Sequence, residues 1–302
     1  MIDARVRAGL LWALLAVFLW SFTVPLTKVA VEGFDAVLTA TGRAAIAGVI
    51  AATVLFIRRI PLPPHHLWKS LFFVMLGAVF GWPVFMAIAL NYTTAAHASV
   101  IAAFLPLATA IFAVALTRER VTNAFWAAAV IGTAAVVVFS LSRGELGPGS
   151  LLADGLLLLG VMSASISYVL GTAATKTLPG WQVISWVVVM ALPITIPASL
   201  VLWWLTKDSY SPSGTQWGAL ILLGVSSMYL GFFAWYRGLS QAGVAYGGQV
   251  QQLQVLFSLL WSAVLLGEAV TWITVGAAIV VIAAVAWAQV ARAPNHIVAP
   301  EE

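Results

Sequence analysis

The sequence predicts an all-α membrane protein of ten transmembrane helices, arranged as two inverted five-helix repeats with N- and C-termini cytoplasmic. Three observations lead there. The first is composition: 62% of the 302 residues are hydrophobic and 8% charged, at a mean hydropathy of +1.03, whereas a soluble domain carries about 25% charged residues. The second is that apolar runs of spanning length, about 20 residues, follow one another along nearly the whole chain. The third is that the halves end alike: a shift of 149 residues lays Leu90 on Leu239, Ala96 on Ala245, Glu119 on Glu268 and Thr122 on Thr271.

This composition removes aqueous catalysis and nucleic-acid binding from consideration, and the basic pI of about 9.6 reflects lysines and arginines in loops. There is no cysteine, so neither disulfides nor thiolate metal sites are available.

Clusters of charge, proline and glycine divide the chain into runs at 7–30, 36–57, 67–90, 95–116, 123–142, 151–174, 181–205, 215–238, 244–266 and 271–291. The first follows Arg5 and Arg7 without a small-residue cleavage site before Pro25, and reads as a retained span. The second contains Arg43, the one basic residue well inside a span. Pro25, Pro83 and Pro106 bend the first, third and fourth runs, and Pro193 and Pro197 the seventh; they serve as hinges or are merely tolerated in membrane helices. The fifth and tenth are nearly free of polar groups and rich in Ala and Gly, which suits close helix packing or a dimer contact. Ten of the fourteen Lys and Arg residues fall on the side of the termini, three on the other, and one, Arg43, within a span, which places both termini in the cytoplasm. Five spans per half is odd, so the second copy lies upside down relative to the first. Such inverted repeats build secondary transporters, with the substrate site at mid-membrane between them. The expected units are residues 1–145, residues 146–292 and a flexible tail, 293–302.

The stretch Ala245 to Glu268 organises the polar residues. Gln249, Gln251, Gln252 and Gln254 crowd its first half, and an amide in hydrocarbon is unfavourable without a partner. On a helix Gln249 and Gln252 share one face, Gln251 and Gln254 another. The first pair is the candidate for lining a cavity and the second for interhelical hydrogen bonds, against the alternative that all four join helices. Ser163 and Ser167 share a face of the sixth run beside Tyr168, either towards a cavity or as small residues that let helices approach. Trp20, Ser21, Trp82, Trp235 and Tyr246 complete the candidate substrate-binding set, while Trp68, Trp181, Trp203, Trp204, Trp217 and Trp272 sit near span ends as interfacial residues. His97 opens the fourth run, as a proton carrier or as a surface residue satisfied by water. Arg43, about two turns from the outer end, can snorkel outward or pair with Glu32, Asp35 or Asp154; a structural or gating ion pair is expected, or, if it faces the cavity, attraction of a substrate carboxylate. Glu119 and Glu268, beside Thr122 and Thr271, read as turn and capping chemistry.

Trp20-Ser21-Phe22 in the first run, the RAAIA stretch Arg43 to Ala47, the Glu-x-x-Thr endings at Glu119 and Glu268, and the duplicated order of ten spans resemble the EamA branch of the drug/metabolite transporter superfamily, over roughly residues 8–291. Within it the chain is most similar to bacterial aromatic amino acid exporters. The resemblance implies that spans 1, 3, 4, 6, 8 and 9 surround a central cavity, with 2 and 7 beside it and 5 and 10 outside. Cationic-drug antiporters of the superfamily use an intramembrane carboxylate, and this first span has no acid between Arg5 and Glu32. Organophosphate exchangers need basic residues at the cavity centre, and spans 4 and 9 have none before Arg118.

A neutral cavity of amides, hydroxyls and aromatic faces suits small amphipathic or zwitterionic solutes. The expected function is export of amino acids, aromatic ones favoured, across a bacterial inner membrane by alternating access. Another neutral metabolite or drug is the alternative within the class; an intramembrane enzyme or a passive channel lies outside it. An enzyme would need a nucleophile and base or a metal cluster on facing helices, and the histidines His65, His66, His97 and His296 are mostly in loops. The expected partners are a small-molecule substrate and the lipid bilayer, without nucleic acid, metal or cofactor, in a monomer or homodimer.

Overall fold

Apolar runs of this length can leave water only as helices, because each satisfies its own backbone hydrogen bonds. Helices and their connecting turns make up a computed structural model of the chain, which describes residues 4–92, 98, 101–102, 104–142, 151–254, 257, 261 and 272–291. His97, Glu268, Thr271 and the tail 293–302 lie outside the described residues. Among the described residues, six runs are long and apolar enough to cross a membrane: Ala4–Val31, Ala36–Ile57, His65–Ala89, Leu151–Ala174, Gly180–Thr206 and Gly214–Ala242.

The first run is α1 (Ala4–Ser21) and α2 (Thr23–Val31), broken at Phe22. Pro25 has no N–H to offer the carbonyl of Ser21, the usual partner four residues back, so the ladder weakens there. α3 (Ala36–Ile57) starts where the Asp35 carboxylate accepts the N–H groups of Val37 and Leu38 at 2.8 and 3.1 Å, satisfying two donors that the helix start leaves open.

The third run is α4 (Trp68–Met75), a π-helical turn Leu76–Gly81, and α5 (Trp82–Ala89). Pro83 lacks an N–H and its ring excludes the carbonyl four residues back. The helix widens to take this in, and the N–H of Trp82 reaches the carbonyl of Gly77 instead of that of Ala78. α6 (Leu105–Thr117), α7 (Asn123–Ser142), α8 (Leu151–Ala174) and α9 (Gly180–Thr206) follow. The eighth run repeats the design of the third: α10 (Gly214–Leu222), a π-helical segment Leu223–Leu230, and α11 (Gly231–Ala242). Both widened segments open on Leu-Gly, Leu76-Gly77 and Leu223-Gly224. The second contains no proline, so there the widening rests on packing. α12 (Val244–Gly248) runs into a 3-10 turn, Gln249–Gln252, and α13 (Trp272–Val290) ends the described chain.

Glycines set how closely these helices approach. α1 and α11 touch backbone to backbone, since a Cβ on Gly238 would lie 2.7 Å from the amide of Ala13 and one on Gly9 would lie 2.8 Å from that of Ala242. α8 presses on the first π turn, where Ser163 fills the space a Cβ on Gly77 or Gly81 would need. The most extensive partnerships are α1 with α11, α3 with α9, α7 with α13, and α8 with both α5 and α6, while α6 also packs on α12. Pro193 and Pro197 are exposed on the outer face of α9, whereas Pro83 and Pro106 are buried.

Candidate functional site

The second π segment places the site. Widening gives the N–H of Gly231 to the carbonyl of Ser226, so the carbonyl of Ser227, its partner in a regular α-helix, is left open. The indole N–H of Trp20 donates to that carbonyl at 2.8 Å. Gly231 makes the approach possible, since a Cβ there would collide with Trp20 Nε1.

Held in this way, Trp20 stacks on Tyr168 of α8 with centroids 5.6 Å apart and planes at 14°. It also meets Phe232 at 5.0 Å and Trp235 at 5.1 Å. Tyr168 closes the group against Trp235 at 5.3 Å. All four rings are buried, and each such pair contributes about 0.5–1.5 kcal/mol beyond area burial. The hydroxyl of Ser227 pairs with the Thr23 hydroxyl at 2.8 Å and accepts Nη2 of Arg43 at 3.1 Å. Arg43 is 3% exposed. It therefore meets a hydroxyl and not the expected carboxylate: Asp35 is turned to its own helix start, and Glu32 is exposed. Asp154 stands in the first turn of α8.

Gln249, Gln251 and Gln252 lie on the 3-10 turn and Gln254 just beyond it. Gln251 Nε2 donates to the Tyr168 hydroxyl at 3.5 Å, and Gln254 Nε2 donates to the Trp20 carbonyl at 3.2 Å. Gln249 Nε2 donates to the Pro106 carbonyl at 3.4 Å, and Gln249 Oε1 accepts from Gln252 Nε2 at 2.8 Å. The Gln252 amide lies over Gly132 of α7, in space a Cβ there would fill. Gln251 and Gln254 thus make the interhelical hydrogen bonds expected of them, and both run to the aromatic cluster, whereas Gln249 bonds to α6 and holds Gln252. The 3-10 turn keeps residues three apart on one face, but which face meets the cluster depends on how α12 docks.

That docking has an anchor. At Gly243, φ +83, the chain turns into α12, and the Glu119 carboxylate accepts the N–H groups of Val244 and Ala245 at 3.1–3.2 Å. Glu119 thus caps a helix of the other half. Thr122 does cap the next helix, accepting the N–H of Phe125 at 3.1 Å.

The other expected residues are scattered. Tyr246 is turned to Phe125 of α7 at 4.8 Å. Trp82 lies on Gly160 of α8, a Cβ there falling 3.1 Å from its ring. The hydroxyls of Ser163 and Ser167 donate to their own helix, to the carbonyls of Leu159 and Ala164. Ser21 accepts the indole of Trp261 at 2.8 Å. Phe232, Ser227 and Thr23 were missed by the sequence reading; the glycines flanking Ser227 were the available signal. A separate cleft of about 190 Å³ lies near the ends of α8 and α11, lined by Thr175, Pro179, Gly180, Trp181, Phe233, Arg237 and Ser240.

Long apolar helices that close over buried aromatic and amide groups define a polytopic membrane protein, and the comparisons with known proteins give its class. The chain matches the EamA-like transporter family over residues 7–141 and again over 151–289. It belongs to this family, and is a membrane-spanning transporter of small molecules. It is 40% identical over 277 residues to the uncharacterized transporter YdeK of Bacillus subtilis, covering 91% of this chain and 94% of that one. It is 26% identical over 176 residues to the aromatic amino acid exporter YddG of Ancylobacter novellus, 56% of this chain and 58% of that one. A solved crystal structure superposes with a TM-score of 0.77 over 93% of this chain and 98% of its own, at 22% identity, a likeness of fold.

Proposed function

We propose that the protein is a bacterial inner-membrane exporter of amino acids, with aromatic ones favoured. It works by alternating access between two inverted halves, residues 1–145 and 146–292, of five spans each, with both termini cytoplasmic. The observation that carries this reading is the cluster of Trp20, Tyr168, Phe232 and Trp235 edged by the amides of Gln251 and Gln254. Flat rings receive an aromatic side chain by stacking, and amides and hydroxyls hydrogen-bond its polar end. The cluster joins α1 to α8 and α11, helices from both halves, so a relative movement of the halves opens it. The pairing of spans across the halves, and the likeness to an aromatic amino acid exporter, support the same reading.

The test is uptake and counterflow in proteoliposomes with labelled phenylalanine, tryptophan, threonine and a nucleoside. Saturable counterflow of the aromatic amino acids is expected, lowered about tenfold or more by Gln251→Ala or Gln254→Ala, with Gln249→Ala and Gln252→Ala acting mainly on stability. Uptake of the nucleoside alone would make the protein an exporter of another neutral metabolite. Flux without counterflow would make it a channel.

A further inference from the structure

Arg43 is a charged side chain within the bundle that the proposed function leaves unused. Its guanidinium carries five N–H donors and stays charged, and a buried charge is unfavourable unless paired. In this structure it donates to one neutral hydroxyl, that of Ser227, and Nε has no hydrogen-bond partner among the described residues. Ser227 also carries the cluster, because its carbonyl takes the Trp20 indole while its hydroxyl takes Arg43. A planar cation and one ring of an aromatic stack are therefore both held by Ser227, on the widened turn. An aromatic amino acid carries the two complementary groups together, a carboxylate a few bonds from a ring.

We infer that Arg43 is the anchor for the substrate carboxylate, with the Ser227 hydroxyl as the neutral partner that gives way to it. A carboxylate supplies the charge the guanidinium lacks and accepts from its two-pronged edge, which a hydroxyl cannot match. The inference rests on the proposed function and adds a requirement to it: substrates must carry a carboxylate, so amines and amides of the same ring are poor ligands.

The experiment is competition against labelled tryptophan uptake by tryptophan, indole-3-propionate, tryptophanamide and tryptamine. In the wild type the two compounds without a carboxylate should need concentrations about tenfold or more above tryptophan. In Arg43→Gln, shown to be monodisperse and helical, that ratio should fall to within about threefold. Ser227→Ala removes the same hydrogen bond from Arg43 and should keep the wild-type ratio. An unchanged ratio in R43Q, or equal collapse in S227A, overturns the inference, the second because it marks a structural role. If R43Q does not fold, Arg43→Lys decides: a narrowed ratio supports the anchor, since lysine lacks the planar fork, and a wild-type ratio overturns it. If the wild type transports no indole compound, the proposed function fails separately. Thermal stabilisation of the purified protein by leucine against leucinamide then reads the carboxylate requirement alone, and indifference between them overturns it.

Discussion

The indole of Trp20 and the carbonyl of Ser227 meet at 2.8 Å across 207 positions of chain, a hydrogen bond made possible by one widened turn. It ties α1 to the π segment and orients the ring on which Tyr168 and Trp235 pack.

Trp20→Phe keeps a ring but leaves that buried carbonyl without its donor, at about 1–3 kcal/mol. The expected result is a lower melting temperature of the purified protein with transport strongly reduced. Wild-type melting would show that the hydrogen bond does not hold the segment.

Gly231→Ala places a methyl where the indole nitrogen sits. Trp20 is walled in by three other rings and cannot yield, so overpacking of about 1–3 kcal/mol is expected. Gly214→Ala and Gly218→Ala meet nothing within 4 Å and serve as controls that should melt like the wild type.

Glu119 caps the first turn of α12 across the two halves. Glu119→Ala removes both acceptor oxygens and should cost about 0.5–2 kcal/mol, while Glu119→Gln keeps one and should cost less. Transport should fall in the same order, because α12 carries the glutamines to the cluster. Equal behaviour of the two variants in melting would count against the cap.

Pro193 and Pro197 lie on the outer face of α9. Replacing either by alanine should leave transport rates within about twofold, since neither proline belongs to the buried aromatic cluster. A large loss of transport in a well-folded variant would show that the bend of α9 matters to the cycle.

Span bounds were legible in the sequence because apolar run length is a local property. The expected 36–57, 123–142 and 151–174 reappear as Ala36–Ile57, Asn123–Ser142 and Leu151–Ala174. Trp20 and Trp235 were legible as candidates because aromatic residues on polar-bearing spans stand out, and they do meet.

Composition and periodicity thus determined the class, the helices and the stock of polar groups seeking partners. Tertiary structure alone decided that Gln251 and Gln254, not Gln249 and Gln252, touch the aromatic cluster, and that Arg43 meets Ser227 in place of a carboxylate. The reason is rotational. A sequence specifies which residues share a helix face, but the direction of that face is set by where glycines such as Gly231 and Gly132 let neighbours close in, and by a π turn that shifts a carbonyl out of its ladder.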